Sequence, residues 1–128
     1  MDLLLDTHIL LAIARGELAD RYPGFSRVLS GDDVRQSGSV ASLWEISIKV
    51  RIGKLDLGMK VAEFQKYLEN YGVDWLSITP AHVAAMVFPE PDTNDPFDRM
   101  LLAQCKAEGL QLVTIDRALV SHPLALSL

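Results

Sequence analysis

A chain of 128 residues, 49% hydrophobic and 23% charged, has the size and balance of one soluble domain around one core and is too apolar to be disordered. Its single cysteine excludes an intramolecular disulfide, so an oxidising compartment offers it nothing. A formal net charge of −5 is the wrong sign for holding nucleic acid through phosphate contacts alone, so such a role needs cations at an acidic site or basic residues gathered on one face.

The first residues, Met1-Asp2-Leu3-Leu4-Leu5-Asp6, set three leucines between acids. That is too short for a secretory signal or a membrane span, and the expectation is a buried strand in a soluble, cytoplasmic protein. Ile9, Leu10, Leu11, Ile13 and Ala14 then predict a helix ending near Gly16. Residues 17–32 carry a weaker helical pattern, broken by Pro23-Gly24. A short strand is expected over 34–39, followed by an apolar helix through Leu43, Trp44, Ile46, Ile48, Val50 and Ile52 that Gly53 stops. Val61–Tyr71 is amphipathic at helical spacing, and residues 73–78 alternate like a strand. Thr79-Pro80 supplies an N-cap and a first-turn proline for a helix over 81–87, which Pro89 and Pro91 break into a loop. Asp95-Pro96 opens a helix over 97–108, closed by Gly109; residues 112–115 form a buried strand ending at Asp116, and a last short strand falls at 124–126. Strands and helices alternate throughout, which predicts a single α/β domain: a parallel β-sheet flanked by helices on both faces.

In open α/β sheets ligands bind beyond the carboxyl ends of the strands. Asp6 and Asp116 each follow a predicted strand, while Glu45 and Asp98 fall in first turns of helices, so four acids from remote segments are expected at one edge. Clustered carboxylates repel and are tolerated chiefly where Mg²⁺ or Mn²⁺ compensates them. Each acid also has a purely structural reading. Ser42 and Glu45 fit a capping box, Asp95 fits an N-cap with Asp98 favoured by the helix dipole, and Asp116 can cap a short helix over 117–120. His8 is a candidate base or ligand, or else a packing residue; His82 and His122 are expected at the surface, Cys105 and Trp44 in the core. Lys49, Arg51 and Lys54 stand in the one basic stretch, where they offer contacts to RNA phosphates or end a solvated helix.

The segments Leu3-Leu4-Leu5-Asp6-Thr7-His8, Ser42-Leu43-Trp44-Glu45-Ile46-Ser47-Ile48-Lys49 with Gly53-Lys54-Leu55, Asn94-Asp95-Pro96-Phe97-Asp98-Arg99 and Leu112-Val113-Thr114-Ile115-Asp116 together resemble the PIN-domain ribonucleases. The VapC toxins of toxin–antitoxin pairs are the nearest match, in order and spacing, over residues 3 to 120. The resemblance implies a PIN-like α/β/α sandwich in which Asp6, Glu45, Asp98 and Asp116 are the acidic quartet. It makes Thr114 a companion hydroxyl, with Asp95 and Thr7 as accessory residues. It further implies Mg²⁺ or Mn²⁺, cleavage of RNA, and a small VapB-like antitoxin bound in the active-site groove. A homodimer is implied too, and Phe64, Tyr67 and Leu68 are more apolar surface than one small core needs. Where the family often carries a histidine before the Asp-Pro-Phe-Asp run, this chain has Thr93-Asn94. Two other functions suit the pattern less well: a PIN-like binding module without chemistry, and an aspartyl-phosphate receiver-type domain, which needs a lysine after a late strand where Asp116-Arg117 stands.

Overall fold

The computed structural model describes every residue from Met1 to Leu128. The apolar run at the N-terminus forms strand β1 (Asp2–Leu5), and helix α1 (Thr7–Ala14) follows directly. Residues 17–32 resolve into two short helices, α2 (Leu18–Arg21) and α3 (Pro23–Leu29), with Pro23 in the first turn of the second. Strand β2 (Arg35–Ser39) leads into α4 (Val40–Arg51), then come α5 (Val61–Tyr71), β3 (Val73–Leu76) and α6 (Pro80–Ala84). Helix α7 (Pro96–Glu108) and strand β4 (Gln111–Val113) complete the sequence of elements. The strand expected over 124–126 is a single bridge from Ala125 to Leu112, and no helix is long and apolar enough to cross a membrane.

The four strands form one parallel sheet in the order β3-β2-β1-β4. Leu3, Leu4 and Leu5 of the interior strand β1 are fully buried because successive side chains leave opposite faces and both faces are covered. Leu3 and Leu5 join the larger core with Ile9, Leu10, Ile46, Phe64 and Leu68, whereas Leu4 packs with Leu101, Leu102, Cys105, Leu112 and Leu119 under α7. Helices therefore flank both faces, as the alternating pattern predicts.

Two strands end earlier than their apolar runs. β3 stops at Leu76 because its partner there, Ser39, is the last residue of β2. β4 stops at Val113 because its neighbour β1 ends at Leu5 and the chain turns into α1, leaving Thr114 and Ile115 nothing to pair with.

Four placements correct the sequence reading. Phe64 and Leu68 are fully buried in the larger core, which leaves Tyr67 alone of the three apolar residues exposed, so they offer no surplus surface for a dimer. Trp44 is 62% exposed instead of buried, its edge-to-face contact being with Phe97 on α7. His82 and His122 are buried, not at the surface. Each closes its own turn: His82 Nδ1 accepts from the Thr79 amide at 3.1 Å, and His122 Nδ1 accepts from the Leu124 amide at 3.1 Å. Their outer nitrogens reach Glu108 at 2.7 Å and the Pro89 carbonyl at 2.9 Å, a complete polar pairing that hydropathy cannot foresee.

Gly38 is the one sheet position where a side chain has no room. A Cβ there would lie 2.7 Å from a ring carbon of Trp75 on the neighbouring strand. Gly38→Ala is expected to cost about 1–3 kcal/mol through overpacking, measured as a lower urea midpoint at unchanged slope.

Candidate active site

β1 and β4 are neighbours that the chain reaches from different sides: β1 leads to β2 and β3 on one flank, and β4 returns on the other. Loops leaving two such strands diverge, opening a crevice beyond their carboxyl ends. Asp6 and Thr114, the residues directly after β1 and β4, stand at that crevice.

Asp6 is buried, and both its carboxylate oxygens are held. Oδ1 caps α1 by accepting from the Ile9 amide at 3.1 Å, and Oδ2 accepts from the Thr114 hydroxyl. The Thr114 oxygen accepts in turn from the Asp116 amide at 3.0 Å, so one hydroxyl ties the end of β4 to both acids. Asp116 Oδ1 accepts from the Ala118 amide at 2.9 Å, so Asp116 caps as expected, but residues 117–120 form a turn and not the expected short helix.

Glu45 does not form the expected capping box. Ser39 is the N-cap of α4, accepting from the Ala41 amide at 3.0 Å, which puts Ser42 inside the helix. The end of β2 decides between the two serines, and a sequence offering both at helical spacing cannot. The Glu45 carboxylate instead receives the Thr7 hydroxyl at 2.7 Å on Oε1 and the Lys49 ammonium at 2.9 Å on Oε2. The Ser42 hydroxyl lies 3.1 Å from Thr7 and completes this buried link between α1 and α4. Lys49 is thus committed to Glu45, while Arg51 and Lys54 are exposed; Arg51 lies six residues past Glu45, about 9 Å along the helix axis.

Asp95 is the N-cap of α7, accepting from the amides of Phe97 at 2.8 Å and Asp98 at 3.4 Å. Asp98, one turn inside, is left free of capping. Its Oδ2 accepts from the Thr93 hydroxyl at 3.3 Å. The pairing of Thr93 with Asp98, and of Ser42 with the Thr7 that holds Glu45, is missed at the sequence level, because neither contact has a fixed spacing along the chain.

The charges of these acids act on one another. Burial raises the Asp6 carboxyl above the usual aspartate range and the Asp116 charge adds to it, against the Thr114 and Ile9 hydrogen bonds and His8. His8 itself is exposed, not packed. Asp98 is pushed up to about 6, first by burial, then by the charges of Asp95 and Asp116 and finally by Glu45. Cys105, buried under α7, is raised to about 12 by burial alone and plays the packing part expected of it.

No three His, Cys, Asp or Glu side chains close into a preformed cage for a metal ion. The donors nevertheless suit a hard divalent cation: all are carboxylate oxygens, and of the four acids only Glu45 has a salt-bridge partner. Mg²⁺ is commonly held through one or two carboxylates with waters completing its shell.

The crystal structure of VapBC2 from Rickettsia felis bound to a DNA fragment from their promoter is similar to this chain with a TM-score of 0.62 at 16% identity, covering 98% of this chain and 96% of that one. No curated protein matches at significant similarity. The family model for the PIN domain matches residues 3–122, which takes in β1, the carboxyl edge of the sheet and all four acids. By fold and by sequence, the chain belongs to the PIN-domain family, whose members are generally nucleases.

Proposed function

We propose that this protein is a Mg²⁺- or Mn²⁺-dependent ribonuclease of the VapC toxin type, with Asp6, Glu45, Asp98 and Asp116 as its acidic quartet. The observation that carries the reading is the gathering of acids from four separate segments at the switch point of the sheet, where burial first, and then the charges of Asp95, Asp116 and Glu45, push Asp98 up to about 6. Such an arrangement costs stability and is retained where a cation relieves it. Asp6 and Asp98 would hold the ion directly. Glu45 would hold it or orient water, and Asp116 would act through water or at a second position. A divalent ion bound there supplies charge neutralisation and water activation for an RNA phosphodiester.

The chain's own residues do the positioning. Thr114 fixes the Asp6 oxygen that does not cap α1, and Thr7 and Lys49 fix the two oxygens of Glu45. Lys49 balances the Glu45 charge, which leaves Arg51 and Lys54 to meet flanking phosphates. The acidic crevice also accounts for an acidic protein acting on RNA, since the ion bridges carboxylate and phosphate. A small VapB-like antitoxin in the groove, a homodimer and a cytoplasmic location belong to the same proposal; they rest on the sequence resemblance and, for the antitoxin, on the likeness to a VapBC complex.

Purified protein is expected to degrade single-stranded RNA only with Mg²⁺ or Mn²⁺ present, assayed by gel with and without excess chelator. Cleavage undiminished by chelator overturns the metal requirement. A protein that takes up Mn²⁺ and cleaves nothing is a binding module.

A further inference from the structure

Residues 86–94, between α6 and α7, form no backbone-to-backbone hydrogen bond. Side chains alone hold this segment. Arg99 supplies most of the tethers: Nε donates to the Thr93 carbonyl at 2.7 Å, Nη2 to the Pro91 carbonyl at 3.4 Å, and Nη1 to the Glu90 carboxylate at 2.7 Å. His122 adds the contact at the Pro89 carbonyl.

The braced segment ends at Thr93, which is buried. A threonine hydroxyl has one proton to give. Because Thr93 Oγ1 accepts the Asp95 amide at 3.1 Å, its proton is left for Asp98 Oδ2. Asp98 has no other hydrogen-bond donor on its carboxylate, so the rotamer of this acid depends on a hydroxyl that Arg99 keeps in place. Arg99 follows Asp98 on α7, and the two side chains grip the same loop at adjacent points.

We propose that Thr93 is the positioning residue for Asp98 and that Arg99, by bracing the loop, sets where the Thr93 hydroxyl stands. The inference rests on Asp98 being a metal-holding acid. It parallels the hydroxyls that hold the other acids, Thr114 on Asp6 and Thr7 on Glu45. The plane of a guanidinium lets Arg99 reach two carbonyls and a carboxylate at once, which a lysine ammonium does not reproduce.

The test is calorimetric titration of MnCl₂ into the RNA-free protein, each variant accompanied by a thermal melt. Thr93→Val keeps the shape and removes the hydroxyl; it is expected to weaken Mn²⁺ binding about 10-fold or more, in the range for groups that orient a ligand. Thr93→Ser restores the wild-type affinity. Arg99→Gln leaves the hydroxyl but frees the loop, and is expected to weaken Mn²⁺ binding as well. A Thr93→Val protein that melts lower yet binds Mn²⁺ like the wild type shows a role in folding alone and overturns the proposal. Should Thr93→Val fail to fold, unchanged affinity in Arg99→Gln overturns it just as well. No Mn²⁺ uptake by the wild-type protein defeats the metal-site reading itself, and Thr93 falls with it.

Discussion

Asp98→Asn is expected to lower RNA cleavage by about 100-fold or more, at least the loss typical of groups that merely orient a metal ligand, while the metal-free protein melts no lower than the wild type. The two halves of that expectation have different causes. An acid that merely favours a helix N-terminus contributes about 0.3–1 kcal/mol, and its loss would lower the melting temperature. At α7 that service is rendered by Asp95, whose carboxylate takes the Phe97 and Asp98 amides. Asp98 instead carries a charge that burial and three neighbouring acids disfavour. Removing the charge relieves about 1–2 kcal/mol at neutral pH, allowing for solvent screening of a half-exposed group. Paired melts without metal and cleavage rates at saturating Mn²⁺ check both halves. A lower melting temperature with full activity would identify Asp98 as a helix-terminal acid and nothing more.

The metal-free protein is also expected to melt higher at pH 5 than at pH 7. Asp98 has its folded-state pKa raised from 3.8 to about 6, and Asp6 is raised in the same direction. The folded state therefore binds more protons than the unfolded state between those values, and stability falls as pH rises through that window. The contribution is fully present below 3.8 and is gone once pH has passed about 6. Saturating Mn²⁺ reverses the order, because it binds the ionised carboxylates, and at 100 times its Kd it adds about 2.7 kcal/mol to the folded state. Scanning calorimetry at the two pH values, with chelator and with Mn²⁺, reads out all four cases. A metal-free melt that rises from pH 5 to pH 7 contradicts the raised Asp98 and Asp6 carboxyls, held up by burial first and by neighbouring acids second, on which the site assignment depends.

The parts of the fold that periodicity governs were readable in the chain. Leu3-Leu4-Leu5 is apolar on both faces because β1 lies inside the sheet, and the bounds of α5 follow from its spacing and from Gly72. Asp6 and the β4 end were legible for a related reason: an acid straight after a buried run has nowhere to go but the sheet edge. What stayed hidden depends on choices made in three dimensions. Ser39 caps α4 in place of Ser42, His82 and His122 are buried because their own turns satisfy them, and Trp44 is pushed outward against Phe97. The partners of Asp98 and Glu45 were unreadable too, since Thr93 and Thr7 meet them through loop placement and helix packing. No residue count separates a threonine that holds a carboxylate from one that caps a turn; Thr93 does both.

The unequal anchoring of the two sides of the crevice has a consequence for amide hydrogen exchange. β1 is bonded to neighbours along both edges and its leucines are sealed on both faces, so its amides open only with the whole molecule. Residues 86–94 have no backbone bonds to break, and the Arg99 and His122 tethers hold carbonyls and the Glu90 carboxylate, not amides, so the amides of this segment exchange without unfolding. Asp6 thus follows a slow-exchanging strand, and Asp98 leans on a fast-exchanging loop. Local opening takes the site apart from the Asp98 side, with Asp6 still in place, at a free energy well below that of global unfolding.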